Sequence, residues 1–197
     1  MAHKIADKKE AKRSAILAAA RAVLVKREYD EVLVADIARK AGVAKGTIFL
    51  YYKNKDELYR AVFRSLFEDL GVKLDAVEKS GLPPREMLKK AIVTLCSNME
   101  RNHNFMERMR RGHFRPRTPP GPPRHDLMRA NHQRLYAILK RCHEGGLIKG
   151  DGLDFIPYVL FPMCRSLWGY KAVEGGSLGV EEGAERIMGI LLRGIGK

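Results

Sequence analysis

Apolar positions recur along almost the whole chain at the three- and four-residue steps of an α-helix, and no alternating run is long enough for a strand. An all-α fold is the expectation. Ile16, Ala20, Val23 and Leu24 share one face of a first amphipathic helix from about Lys9 to Lys26. A polar break at Arg27 to Glu31 leads into a compact run of small helices ending at Tyr52. Asn54 stands three residues before Glu57, the spacing of a capping box. Leu58, Val62, Leu66, Leu70 and Leu74 follow in steps of four, predicting a rod-like helix that reaches about Lys79. Gly81, Pro83 and Pro84 then interrupt the pattern. Three parts are therefore expected: an N-terminal helical domain at 1–54, a connecting helix at 55–80 and a larger helical domain at 81–197.

In the larger part, Leu88, Ile92, Leu95 and Met99 form one helical face. The segment Arg115 to Pro123 holds five prolines and one glycine, too many for a helix, and reads as a surface loop. Helix resumes near Arg124 with Met128, Leu135, Ile138, Leu139 and Cys142, and stops at Gly145 and Gly146. Asp154 to Val173 is almost entirely apolar, with Pro157 tolerable in a first turn and Pro162 expected to kink it. A final helix from Val180 to Gly194 carries Ala184, Ile187, Ile190 and Leu191. These last two helices hold more apolar surface than one core needs, so they are the expected seam of a homodimer.

With 45% apolar and 30% charged residues, the chain is too apolar to be disordered and too charged to sit in a bilayer. The longest uncharged apolar run, Phe155 to Cys164, has ten residues, against about 20 for a membrane span. Lys4, Lys8 and Lys9 precede no apolar stretch, so no secretory leader is read and a cytoplasmic protein is expected. Cys96, Cys142 and Cys164 are odd in number and far apart, which suggests neither a disulfide framework nor a zinc site. A net charge of +14 attracts polyanions. Residues 1–60 carry fourteen Lys and Arg against eight Asp and Glu, and residues 101–134 carry nine arginines against Glu107 and Asp126.

One stretch turns that charge into a specific chemistry. Residues 34–52 read V-A-D-I-A-R-K-A-G-V-A-K-G-T-I-F-L-Y-Y. Ile37 and Ala38 face inward from a short helix, Ala41 permits close approach, Gly42 allows a left-handed turn and Val43 plugs the space between two helices. Ile48 and Tyr52, four apart, also face the core. Lys45, Thr47, Phe49 and Tyr51 are left near the exposed face of a helix able to enter a major groove.

These residues, Asp36-Ile37-Ala38, Ala41 to Phe49, Tyr51-Tyr52, Lys55 and Leu58, resemble the signature of the tetracycline-repressor (TetR) family over about residues 10–65. The resemblance implies an N-terminal helix-turn-helix domain, a long connecting helix and a variable ligand-binding domain whose last two helices pair in a homodimer. It also implies a ligand-responsive repressor that binds a palindromic operator and needs no cofactor. Carried over by position, Lys45, Gly46, Thr47 and Phe49 would contact bases, and Tyr51 and Lys55 phosphates. Three positions depart from the pattern. Phe49 replaces a frequent tyrosine, leaving only apolar contact, for instance with a thymine methyl. Leu33 replaces a capping Ser or Thr, and Glu28 replaces a frequent glycine.

Met99, Phe105, Met109, Met128, Tyr136, Phe161 and Trp168 are each ordinary core residues by default. Together they suggest an adaptable apolar cavity for a small-molecule effector. The arginine zone offers either a solvated surface or an anionic preference for that effector. His125 and His132 lie seven apart on one helical face, more simply read as solvated or core histidines than as metal ligands. No nucleophile elbow, phosphate-binding glycine loop, dinucleotide fingerprint or zinc-protease motif is present, so no enzyme, metal or cofactor is expected. The binding-only alternative is a basic protein that coats nucleic acid without sequence preference.

Overall fold

The computed structural model describes residues 2–111, 124–176 and 178–195. Among them the chain forms helices α1 (Ala2–Leu24), α2 (Val34–Ala41), α3 (Lys45–Tyr51), α4 (Lys55–Glu78), α5 (Pro84–Arg111), α6 (Arg124–Glu144), α7 (Ile156–Glu174) and α8 (Val180–Ile195), and no strand. The proline-rich segment at 115–123 lies outside the described residues.

The chain divides into two compact units, Met1–Leu66 with Asn102–Gly121, and Phe67–Arg101 with Pro122–Lys197. The division falls inside α4 and α5 rather than at the punctuation near residue 80. Its physical cause is that the two ends of each long helix serve different cores.

In the first unit, Ile16, Ala20 and Leu24 of α1 meet Ile37 and Ala38 of α2, Ile48 of α3 and Leu58, Val62 and Leu66 of α4. Phe105, near the end of α5, completes this core with no exposed surface. Its ring lies 5.3 Å from that of Tyr59, whose own edge contact with Tyr29 is 5.0 Å at 88°. Arg21 donates to Asn102 at 2.5 Å, and Arg108 pairs with Glu28, so two further residues of α5 belong here.

The second core gathers Leu70 and Leu74 of α4, Leu88, Ile92 and Leu95 of α5, Leu135, Ile138 and Leu139 of α6, Leu160 of α7, and Ala184, Ile187 and Leu191 of α8. Polar ties fasten α4 to α6. Asn131 Nδ2 donates to the Phe67 carbonyl at 3.0 Å, and Arg134 Nε reaches Asp75 at 2.9 Å. Gly71 makes this approach possible, since a Cβ there would stand 3.0 Å from the Arg134 guanidinium and 3.1 Å from Asn131 Oδ1. α7 takes Pro157 in its first turn and runs through Pro162 to Gly175, whose left-handed backbone at φ 64 ends it. The three cysteines are free and buried in this unit. No described helix is long and apolar enough to cross a membrane.

Candidate nucleic-acid interface

The turn between α2 and α3 is built on Gly42, at φ 66 and ψ 32. This left-handed backbone is strained for residues with a Cβ, and it lets the Val43 N–H bond back to the Ala38 carbonyl at 3.0 Å. Val43 and Ala41 are partly buried against the first core. Ile48 and Tyr52 anchor α3 from beneath with almost no exposed surface. Their spacing fixes which side of α3 is free. Lys45, Gly46 and Phe49 are exposed, while Thr47 and Tyr51 are half-buried and Tyr51 packs on the core. A Cβ at Gly46 would touch nothing within 4 Å, so the backbone there stands open.

Leu33 is the N-cap of α2, with extended backbone and no side-chain cap. Its hydrophobic side chain has no oxygen to offer the first amides of the helix. Glu28, in place of the frequent glycine, is held by Arg108. Asp36 bridges Arg27 at 2.8 Å and Arg39 at 2.6 Å, tying the α1–α2 loop to α2. Beside this bridge lies a notch of about 250 Å³ lined by Ala22, Val23, Lys26, Arg27, Asp36, Arg39 and Lys40.

Lys55 opens α4. Asn54 Oδ1 accepts the Glu57 N–H at 2.8 Å, and Glu57 Oε2 accepts the Lys53 N–H, one residue before the cap, at 2.7 Å, a pair of bonds that fixes the helix start. The Lys55 ammonium sits 4.2 Å from the centre of the Tyr29 ring. Desolvation there lowers its pKa, against the pull of Asp30 and Asp56. Tyr29 is itself fixed by donating its hydroxyl to Asp56, and burial raises its pKa above the ordinary tyrosine value. Sequence reading identified Lys55 but not this aromatic support, because Tyr29 and Lys55 are linked only by the fold.

It also passed over Leu50, whose side chain is 83% exposed. The signal was present: two residues from both Ile48 and Tyr52, position 50 falls on the opposite side of a helix.

The effector candidates are divided between the two units. Met99 and Phe161 are partly buried against the second core, and Met128 is half-buried on α6. Tyr136 and Trp168 are exposed, whereas Phe105 fills the core of the first unit. The Met109 side chain lies outside what is described. His132 is buried on α6, its ring 4.2 Å from Tyr158 and 4.9 Å from Phe161, and burial lowers its pKa below the ordinary value. His125 is exposed. Among the described residues, no group of three or more His, Cys, Asp or Glu could hold a metal ion.

Residues 16–62 match the family model of bacterial regulatory proteins, tetR family. Over 90 residues the chain is 31% identical to the fatty acid metabolism regulator protein of Bacillus subtilis, a match covering 46% of each protein. Over 100 residues it is 31% identical to the transcriptional repressor KstR of Mycolicibacterium smegmatis, covering 51% of this chain and 49% of that one. The chain spans about half the length of these curated relatives. The transcriptional regulator FadR of Bacillus subtilis, solved with stearoyl-CoA, shares the fold with a TM-score of 0.70 at 21% identity, over 93% of this chain and 99% of that one.

Proposed function

Since the chain belongs to the tetR family of bacterial regulatory proteins, we propose that it is a ligand-responsive transcriptional repressor that grips a palindromic operator as a homodimer through the helix-turn-helix at 33–52. The observation that carries this reading is α3. Its inner side is locked by Ile48 and Tyr52, its outer side presents Lys45, Gly46 and Phe49, and the capped start of α4 holds Lys55 beside it. A rigid helix with one side free and a cation at its start is suited to major-groove reading. Lys45, Gly46, Thr47 and Phe49 take the base contacts, Tyr51 and Lys55 the phosphates.

Dimerisation is assigned to α7 and α8. Tyr158, Val159, Trp168, Tyr170 and Val173 of α7 and Ile190 of α8 are exposed in the single chain, and covering them with a second copy would bury that apolar surface. Effector binding is assigned to the second unit, with support from Met99 and Phe161 against its core. Effector binding there shifts the population between two spacings of the reading heads, with a coupling typically of about 1–3 kcal/mol. The proposal involves no catalytic step.

Selection from random duplexes tests the operator reading. A palindrome of two half-sites is the expected product, and a smear of equal affinity for all sequences would establish non-specific coating instead. For the effector, stearoyl-CoA, free fatty acids, aromatic acids and cationic drugs are compared by thermal shift. If the arginine zone serves the effector, anionic compounds should raise the melting temperature; a preference for cations would leave that zone a solvated surface.

A further inference from the structure

The helix-turn-helix leaves apolar surface where a DNA-reading helix ordinarily offers hydrogen bonds. Among the described residues of the first unit, the large apolar side chains left exposed are Leu33, Phe49 and Leu50, at 62%, 43% and 83%. All lie within 33–52, and two are neighbours on α3. The other described large apolar side chains of that unit are buried or half-buried.

The polar vocabulary of α3 is correspondingly small. Lys45–Tyr51 reads K-G-T-I-F-L-Y and contains no Arg, Asn, Gln, Asp or Glu, the side chains that make paired hydrogen bonds to guanine or adenine and accept from cytosine. Lys45 and Thr47 remain as the polar side chains ahead of Phe49, and Thr47 is half-buried. In the major groove, the apolar feature that distinguishes one unmodified base pair from the others is the thymine methyl.

We propose that Leu50 and Phe49 read the operator by covering thymine methyl groups, which specify each half-site together with the base-edge contacts of Lys45 and Thr47. This rests on the operator-binding reading above. Charge complementarity names duplex DNA as the occupant of this face. Lys53 and Lys55 after the helix are cations placed to meet phosphates, and Lys45 on the helix itself turns a cation to the groove, in a chain of net charge +14. A second copy of this chain covering Leu50 would bring another net charge of +14 against those cations.

The experiment uses the full-length protein and the duplex recovered by selection. Each thymine is replaced in turn by deoxyuridine, which removes the methyl and keeps every Watson–Crick and groove hydrogen bond, and affinity is read by fluorescence anisotropy. At one or more thymines in each half-site, the loss should be about fourfold, the weight of one buried methyl. Leu50→Ala should keep the wild-type melting temperature, because the side chain is exposed, and should abolish the deoxyuridine effect at its own position. A merely structural role for Leu50 would weaken thymine and deoxyuridine duplexes equally and would overturn the assignment. If deoxyuridine is tolerated everywhere while the palindrome is still selected, methyl reading fails and operator binding stands. If selection yields no preferred sequence, the operator reading itself fails and methyl reading falls with it.

Discussion

Phe105→Ala removes a ring that is fully buried in the first unit although it arrives on the fifth helix. Truncating a buried phenylalanine costs about 3–5 kcal/mol, the lost burial and the cavity together, and its neighbour Tyr59 at 5.3 Å loses its aromatic partner. Against a total stability of about 5–15 kcal/mol, this is about a fifth of the whole or more. With a urea m-value of about 2 kcal/mol/M, a loss of about 4 kcal/mol moves the unfolding midpoint down by about 2 M. Tyr59 supplies a second reading. Burial pushes its pKa up to about 12, so opening the core should let it titrate nearer the ordinary value of 10, measurable as the phenolate band at 295 nm. Operator affinity, measured well below the midpoint, should change little, since the ring does not belong to the reading face. A stability loss below about 1 kcal/mol would refute the placement of Phe105 in this core.

Lys55→Ala should weaken all duplexes about equally and reduce the slope of log affinity against log salt by about one. Lys45→Ala should instead cost about 1–3 kcal/mol on the operator and relax preference at one position per half-site, as read by competition among variant duplexes. Ile190→Glu should give a folded monomer by sedimentation, because Ile190 is 54% exposed; Ile187→Glu should unfold the chain, because Ile187 is buried in its own core. His132 makes stability depend on pH, and the sign follows from its lowered pKa. The unfolded chain protonates near 6.5 while the folded one resists, so stability is full above that pH and falls as pH drops through 6.5 toward the folded value. Urea midpoints compared between pH 7.5 and 5.5 should show this fall, and His132→Phe should reduce it.

Helical periodicity was enough to find what turns inward. Ile37, Ala38, Ile48 and Tyr52 are buried, as are Leu58, Val62, Leu66, Leu70 and Leu74, because a four-residue step fixes a face whatever it meets. The left-handed turn at Gly42 was readable for the same local reason. Periodicity does not say which core a face meets. Phe105 stands about 110° round α5 from the Leu88–Ile92–Leu95–Met99 face and packs with Tyr59 in the first core, and the boundary near residue 80 was read from Gly and Pro while the cores divide inside two helices. Tyr136 and Trp168 are exposed despite their apolar rings, since an aromatic side chain can serve a surface as well as a pocket. The Tyr29 platform under Lys55 and the Arg27–Asp36–Arg39 bridge depend on partners brought together by folding.

The return of α5 to the first unit also sets the order in which the nascent chain is completed. By the time a ribosome has made Leu66, every helix of the reading head has been synthesised, but Phe105 is still 39 residues away. At about 5–20 residues per second, that interval is roughly 2–8 s. Throughout it Tyr59 and its neighbours lack their cover, and a chain released near residue 80 never receives it. The helix-turn-helix is made before Phe105 and reaches its final stability only after it.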